Sequence, residues 1–275
     1  MPFENIVLDI DGTVIDDNLV LSGNTVRAIN KLADAGKRII FCTGRMHGST
    51  VKIIREFFPG RNFPIISYNG SMVIIPGQAE PVIHHQIDPR TSKEIIRFLR
   101  KNNVHGHIYV DDRLISEVDN DEIRNYSIHS GMDYVIVDDL IEFIDRKDAP
   151  VKILAIGEPE ILEEVEKTGI EKFSDKVNIF KSFSIYLDFI PKATNKGIAL
   201  EELADYMNFN LNETMMIGDG DNDVFAFEVV NYSIAMQNAT PKLKENADSI
   251  TEKDNNHEGA YYALAQLFDD IIGPV

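Results

Sequence analysis

The 275-residue sequence has a single cysteine, Cys42. One thiol excludes an internal disulfide and fits a reducing compartment. No apolar run reaches the ~18 residues that would suggest a membrane span, and the first residues lack the pattern of a secretory signal. Positive charge is scarce: 27 Lys and Arg stand against 45 Asp and Glu, a formal net charge of −18. Such a field repels nucleic acid and anionic membrane surfaces, so neither is expected as a partner. Repeats and low-complexity tracts are also missing. The histidines lack zinc-like spacing, since His84 and His85 fall on opposite faces of any strand, and His105 and His107 have no Cys or acidic partner at a suitable distance. The expectation is a soluble cytoplasmic protein, with its oligomeric state, homo-oligomer included, left open. An anionic substrate would need local cationic help against the overall charge.

The remaining composition is that of a globular protein, 44% hydrophobic and 26% charged, with a length that suits about two domains. The stretch Ile6-Val7-Leu8-Asp9-Ile10-Asp11-Gly12-Thr13 organises the chain. Its apolar run fits a parallel strand buried on both faces, and it ends in two carboxylates and a glycine exit. Ser22 then caps a helix that Gly36 stops. Arg38–Cys42 is a second buried strand, leaving through Thr43-Gly44-Arg45. A helix around Val51–Phe58, a strand Pro64–Tyr68 and a hairpin at Asn69-Gly70 follow.

The βα rhythm breaks near Pro76-Gly77 and returns after Ile190. Between them lie a weakly alternating stretch Val82–Ile87, a helix opened by Asp88-Pro89, a hairpin about Asp111-Asp112-Arg113, and strands at Val151–Ile156, Val177–Phe180 and Ile185–Ile190. Asp111-Asp112 and Asp138-Asp139 read as solvated turns. This middle section reads as an inserted α+β module with an antiparallel sheet. Beyond it come a helix Gly197–Asn208, a strand Met215–Ile217 leading into Gly218-Asp219-Gly220-Asp221-Asn222-Asp223, and a capped turn at Thr240-Pro241. The fold expected is a doubly wound, mostly parallel α/β sheet made by residues 1–78 and 191–275, interrupted by a module at 79–190.

Parallel strands of one sheet point their C-terminal ends to one edge, where open α/β folds bind ligands. Asp9, Thr43 and Asp219 would therefore meet. Three carboxylates at one site repel unless a cation holds them, and an all-oxygen donor set favours Mg²⁺. An EF-hand is excluded, because counting from Asp219 the required Gly and Glu positions hold Val224 and Val230. A carboxylate held there can attack phosphorus, and Lys196 with a hydroxyl can bind phosphoryl oxygens.

The four clusters Asp9-x-Asp11-Gly12-Thr13, Thr43-Gly44-Arg45, Lys196 and Gly218-Asp219-x-x-Asn222-Asp223, in this order, resemble the haloacid dehalogenase (HAD) superfamily of phosphohydrolases. The large insert resembles the α/β cap of its Cof-type branch, as do Asn69-Gly70, Tyr186–Pro191 before Asn195-Lys196-Gly197, and Ala235-Met236-x-Asn238-Ala239. The likeness covers the whole chain and is nearest to bacterial sugar phosphatases. It implies a HAD-like Rossmannoid core with a cap. Asp9 would be the nucleophile, forming an aspartyl phosphate, and Asp11 the general acid and base. Asp9, Asp219 and the Asp11 backbone carbonyl would bind Mg²⁺, with Asp223 behind them. Ile10, Thr43, Gly44, Lys196 and Asn222 would contact phosphate, and Arg45 and Asn69 are candidate substrate contacts. The implied substrate is a small phosphorylated metabolite, a sugar phosphate first. A phosphomutase or phosphotransferase on the same scaffold and a non-catalytic phospho-ligand sensor are the alternatives. A dehalogenase is disfavoured because that branch needs neither Asp11 nor the metal.

Overall fold

A computed structural model describes residues 3–146 and 149–273. In chain order the elements are β1 (Asn5–Leu8), α1 (Gly23–Asp34), β2 (Arg38–Cys42), α2 (His47–Phe57), β3 (Ile65–Ser67), β4 (Met72–Ile74), β5 (Ile83–His84), α3 (Pro89–Lys101), β6 (His105–Val110), β7 (Arg113–Ser116), α4 (Asp121–Ser130), β8 (Tyr134–Ile136) and α5 (Leu140–Arg146). They continue with β9 (Lys152–Ile156), α6 (Pro159–Phe173), β10 (Val177–Phe183), β11 (Tyr186–Pro191), α7 (Lys196–Met207), β12 (Thr214–Gly218), α8 (Val224–Phe227), β13 (Tyr232–Ala235), α9 (Pro241–Glu245), β14 (Ser249–Ile250), α10 (Gly259–Leu267) and α11 (Asp269–Ile272).

The chain folds as two units. The first comprises residues 1–44, 50–83 and 195–275. Its eight-stranded sheet has the order β14-β13-β12-β1-β2-β3-β4-β5. β1 lies at the centre, parallel to both β12 and β2. Ile6, Val7 and Leu8 are fully buried, as a strand covered on both faces requires. β4 runs against β3, pairing antiparallel with it through a 3₁₀ turn at Tyr68–Gly70. β5 closes the edge of this sheet, so the apolar half of the Val82–Ile87 stretch belongs here and not to the inserted sheet. Ser22 caps α1 by accepting from the Thr25 amide, and Thr240 caps α9 before Pro241.

The second unit comprises residues 45–49 and 84–194. Its sheet order is β10-β11-β9-β6-β7-β8. The pairs from β10 through β7 are antiparallel, but β8 joins β7 in parallel, a departure from the wholly antiparallel sheet expected. A parallel pair needs a crossover, and α4 supplies it. One sheet face is apolar: Ile108, Val110, Ile115, Ile153, Ala155, Leu187 and Phe189 form a core with residues of α3, α5 and α6. α5 was not foreseen. Asp139, expected in a solvated turn, instead accepts from the amides of Ile141 and Glu142 and starts that helix. Among the described residues, no helix is long and apolar enough to cross a membrane.

Candidate active site

β1, β2 and β12 all end at one edge of the first sheet, and their next residues are Asp9, Thr43 and Asp219. The Asp9 amide still donates to the Ile217 carbonyl at 3.0 Å, so its side chain leaves the sheet from a fixed position. Thr43 is fully buried, and its backbone is held on both sides, its amide donating to Ile66 and its carbonyl accepting from Asn69.

Lys196 arrives from the other half of the unit as the first residue of α7. Asn195 caps that helix by accepting from the Ile198 amide. Gly70, at φ +105°, lets the preceding loop lie against Asn195, whose carbonyl would be 2.3 Å from any added Cβ. A lysine at a helix N-terminus opposes the helix dipole. Two carboxylates offset this: the Lys196 ammonium donates to Asp9 Oδ1 at 2.7 Å and to Asp223 Oδ1 at 2.6 Å. All three side chains are essentially buried. The two anions hold the ammonium far above its ordinary pKa, overriding the desolvation that would lower it.

Asp223 is a brace. Its second oxygen accepts from the amides of Asp219 and Gly220, both at 3.0 Å. Thr13 donates to Asp219 Oδ1 at 3.0 Å. Gly12 turns at φ +68°, and a Cβ there would lie 2.3 Å from Asp219 Oδ2, so only glycine lets the two loops approach. Asn238 donates to the Gly12 carbonyl at 2.8 Å and steadies this turn. Asn222 donates to Asn69 Oδ1 at 2.8 Å, and the Asn69 amide group lies against Gly44.

Carboxylate oxygens of Asp9, Asp219 and Asp223 lie within 4.8 Å of one another. Burial pushes Asp9 well above the usual carboxylate range, although Lys196 pulls it down. Burial and the Asp223 charge raise Asp219 to about 7. One ammonium does not neutralise two buried carboxyls and a half-buried third. The donor set therefore fits a divalent cation with hard oxygen preferences. Asp223 has both oxygens engaged with Lys196 and loop amides, so the groups left to face such an ion are Asp9 and Asp219.

Ile10 is fully buried, and its carbonyl accepts from the amides of Thr13, Val14 and Ile15, shaping the turn that carries Asp11. Arg45 groups with the second unit, where it donates to Ser49 at 3.3 Å. Cys42 is buried, and burial raises its thiol far above the reactive range.

The chain matches the family model for haloacid dehalogenase-like hydrolases over residues 6–264. The chain belongs to the haloacid dehalogenase-like hydrolase family. TM0651 from Thermotoga maritima, a solved structure, is 39% identical with a TM-score of 0.87, covering 96% of this chain and 97% of that one. MG265 of Mycoplasma genitalium is 30% identical over 97% of this chain and 99% of its own length. YwtE of Bacillus subtilis, a 5-amino-6-(5-phospho-D-ribitylamino)uracil phosphatase, is 27% identical over 95% of this chain and 97% of its own. Among haloacid dehalogenase-like hydrolases the chain is of the Cof type, an enzyme of the phosphatase kind.

One polar group was missed from the sequence. His107, Tyr109, Lys152 and Asp188 are buried together in the second unit, with Lys152 Nζ 2.9 Å from Asp188. The available signal was alternation: His105, His107 and Tyr109 share one face of β6, opposite the apolar face formed by Ile108 and Val110.

Proposed function

We propose that the chain is a Mg²⁺-dependent phosphomonoesterase of small phosphorylated metabolites, sugar phosphates first, working through an aspartyl phosphate on Asp9. The observation that carries this reading is the buried Lys196 ammonium bridging Asp9 and Asp223 at the edge where β1, β2 and β12 end. Asp9 attacks phosphorus in line, the leaving oxygen takes its proton from Asp11, and Asp11 then withdraws a proton from the water that cleaves the acyl phosphate. Lys196, Thr43, Asn222 and the amides of Ile10 and Gly44 bind the phosphoryl oxygens. Asp9, Asp219 and the Asp11 carbonyl would hold the cation, which supplies charge neutralisation at the phosphoryl group when bound. Asp223 keeps Lys196 and the Asp219 loop in place. Residues 79–190 act as the cap that selects the leaving group, and Arg45 and Asn69 are candidates for substrate contact. A cytoplasmic setting belongs to this reading and is supported by the single buried Cys42.

The test is phosphate release from a panel of sugar phosphates, nucleotides, phosphorylated vitamins and p-nitrophenyl phosphate, with Mg²⁺ and with chelator. Mg²⁺-dependent release that disappears in Asp9→Asn supports the proposal. Transfer of phosphate to a second hydroxyl without release of free phosphate would replace it with the phosphotransferase reading.

A further inference from the structure

Asp11 stands on a turn beyond the end of β1. The sheet fixes the chain as far as Asp9, whose amide still donates to Ile217. After Gly12 the chain enters a short hairpin, in which the backbone of Asp11 pairs with Ile15 and that of Ile15 with Leu21. Ile15 and Leu21 are buried, but the tip is open, with Leu19 48% and Val20 51% exposed. Between the hairpin and the loop 254–258 lies a cavity of about 60 Å³, lined by Val14, Val20, Asn255 and Glu258 among others. Close packing therefore does not hold this side of the hairpin. Hydrogen bonds hold it, and they converge on one residue.

Asn255 is buried and opens a 3₁₀ turn, Asn255–His257. Its Nδ2 donates to the Ile15 carbonyl at 3.3 Å and to Asp17 Oδ1 at 2.9 Å. A carbonyl and a carboxylate only accept, so the orientation of this amide is set by its partners. Asn256 completes the clamp: its Nδ2 donates to Asp17 Oδ2 at 3.0 Å, and its Oδ1 accepts from the Asp17 amide at 3.1 Å. These side-chain amides hold the Asp17 carboxyl below its ordinary range. The backbone amide of Asn255 donates to Asn238 Oδ1 at 3.1 Å, which turns Asn238 Nδ2 onto the Gly12 carbonyl at 2.8 Å. Asn255 thus reaches the Asp11 turn twice, directly at Ile15 and through Asn238 at Gly12.

The loop that carries Asn255 is itself anchored. Glu258 sits at φ +62°, and its carboxylate accepts from Asn24 Nδ2 at 3.0 and 3.1 Å. A left-handed residue other than glycine persists where its surroundings hold it. Gly259 follows so closely that an added Cβ would lie 2.0 Å from the Lys253 carbonyl. Asn238 has a firm base as well: the Met236 amide donates to Gly218 at 2.9 Å and the Thr240 amide to Asp219 at 3.0 Å. The segment 236–240 therefore joins the Asp219 loop to the Asp11 turn.

We propose that Asn255 is a positioning residue for the reaction. It sets the place of the Asp11 carboxyl by holding Ile15 directly and Gly12 by way of Asn238. This inference rests on the phosphomonoesterase reading, in which Asp11 protonates the leaving oxygen, and it names what aims that acid. A misplacement of about 1 Å at a reacting group costs on the order of 10²-fold in rate, so a clamp that touches no substrate suffices to govern turnover.

The experiment compares full-length wild type, Asn255→Asp and Asp11→Asn at saturating Mg²⁺. Two esters are used: p-nitrophenyl phosphate and the sugar phosphate of the panel that is hydrolysed fastest. An alkoxide needs a proton to leave and p-nitrophenolate does not, and kcat/KM ends at departure of the leaving group, before water attacks. Asn255→Asp keeps the shape of the side chain, removes its donors and sets a second carboxylate against Asp17. kcat/KM is expected to fall roughly 10–100-fold on the sugar phosphate and less than about threefold on p-nitrophenyl phosphate, the same selectivity that Asp11→Asn shows. The ratio of the two esters does not depend on how much enzyme is folded, so lost stability cannot imitate this result. Should Asn255→Asp not fold, Asn238→Ala removes only the arm to Gly12 and carries the same ratio test. A parallel fall on both esters, or no fall on either, overturns the positioning role and leaves the phosphatase reading standing. Equal losses on both esters in Asp11→Asn remove the acid that Asn255 is said to aim, and the proposal falls with it. Failure of wild type to release phosphate from any ester overturns the phosphatase reading itself.

Discussion

The Lys196 ammonium donates to Asp223 at 2.6 Å with neither side chain reaching solvent. Asp223 therefore does two tasks at once. It answers the charge that α7 carries into the site, and it accepts two amides of the Asp219 loop. Removing it should cost more than a surface charge would. Asp223→Ala leaves two amides without acceptors and Lys196 with Asp9 alone, so stability should fall by about 3 kcal/mol, read from urea unfolding. Asp223→Asn retains an acceptor and should lose less. A loss within about 0.5 kcal/mol for the alanine variant would show that the brace is dispensable.

Asp9 and Asp11 divide the chemistry, and their variants should separate. Asp9→Asn should abolish turnover by at least roughly 10³-fold, since no covalent intermediate can form. Asp11→Asn should reduce it by about 10²–10⁴-fold while leaving Mg²⁺ binding, followed by calorimetry, nearly intact. Near-normal turnover in Asp11→Asn would remove the acid and base role.

Gly12 is the contact point of the two acidic loops. Gly12→Ala adds a methyl 2.3 Å from Asp219 Oδ2 at a backbone φ of +68°. Either strain or clash must be relieved by moving Asp219, and both act in one direction. The variant should need several-fold more Mg²⁺ for half-maximal activity. An unchanged Mg²⁺ dependence would mean that the loop yields freely.

His107 sets a pH dependence for stability. Its ring is held well below the ordinary value of 6.5 by burial, with His105 and Lys152 adding to the effect. Above that value folded and unfolded chains are alike in this group, so its contribution is fully present. As pH falls below it, the unfolded chain takes a proton that the folded one refuses, and stability drops by up to about 1.4 kcal/mol per pH unit until the folded pKa is reached. His105 and His47 shift in the same direction and add to the slope. The raised carboxyls of Asp9 and Asp219 act in the opposite sense in this window, so the His107 share is read as the difference between wild type and His107→Gln in urea unfolding between about pH 7 and pH 5: wild type should lose more stability than the variant as pH falls. Tyrosine emission can follow the transition, as the chain has no tryptophan.

Much of the first unit could be read from the sequence because buried parallel strands advertise themselves. Ile6–Leu8, Ile39–Cys42 and Met215–Ile217 are unbroken apolar runs, each ending in polar residues that topology brings to one edge. The second unit was harder. The Leu140–Arg146 helix is only seven residues long, and its capping residue, Asp139, looks like any acidic turn. β14 is a two-residue strand paired only with β13, too short for a periodicity to show. Within the site, the acidic residues and Lys196 were legible as a set, but the division of labour was not. That Asp223 spends both oxygens on Lys196 and two amides depends on a loop geometry no spacing reveals. The buried group of His107, Tyr109, Lys152 and Asp188 was hidden for a related reason: its members are spread over β6, β9 and β11 and carry no motif.

The placement of β1 also bears on the order in which the molecule can be made. Asn5 pairs with Arg38 on one side and with Thr214 on the other, so one edge of the central strand of the first sheet stays open until most of the polypeptide has been synthesised. The pairings of the second sheet lie between residues 105 and 191. Contacts closer in sequence form sooner, and domains acquire structure as they emerge from the ribosome. The interrupting module can therefore be complete while the N-terminal strand, with Asp9 at its end, still waits for its β12 neighbour. Asp9 and Asp219 meet only at the last stage, which confines the juxtaposition of those acidic groups to a chain that is nearly finished.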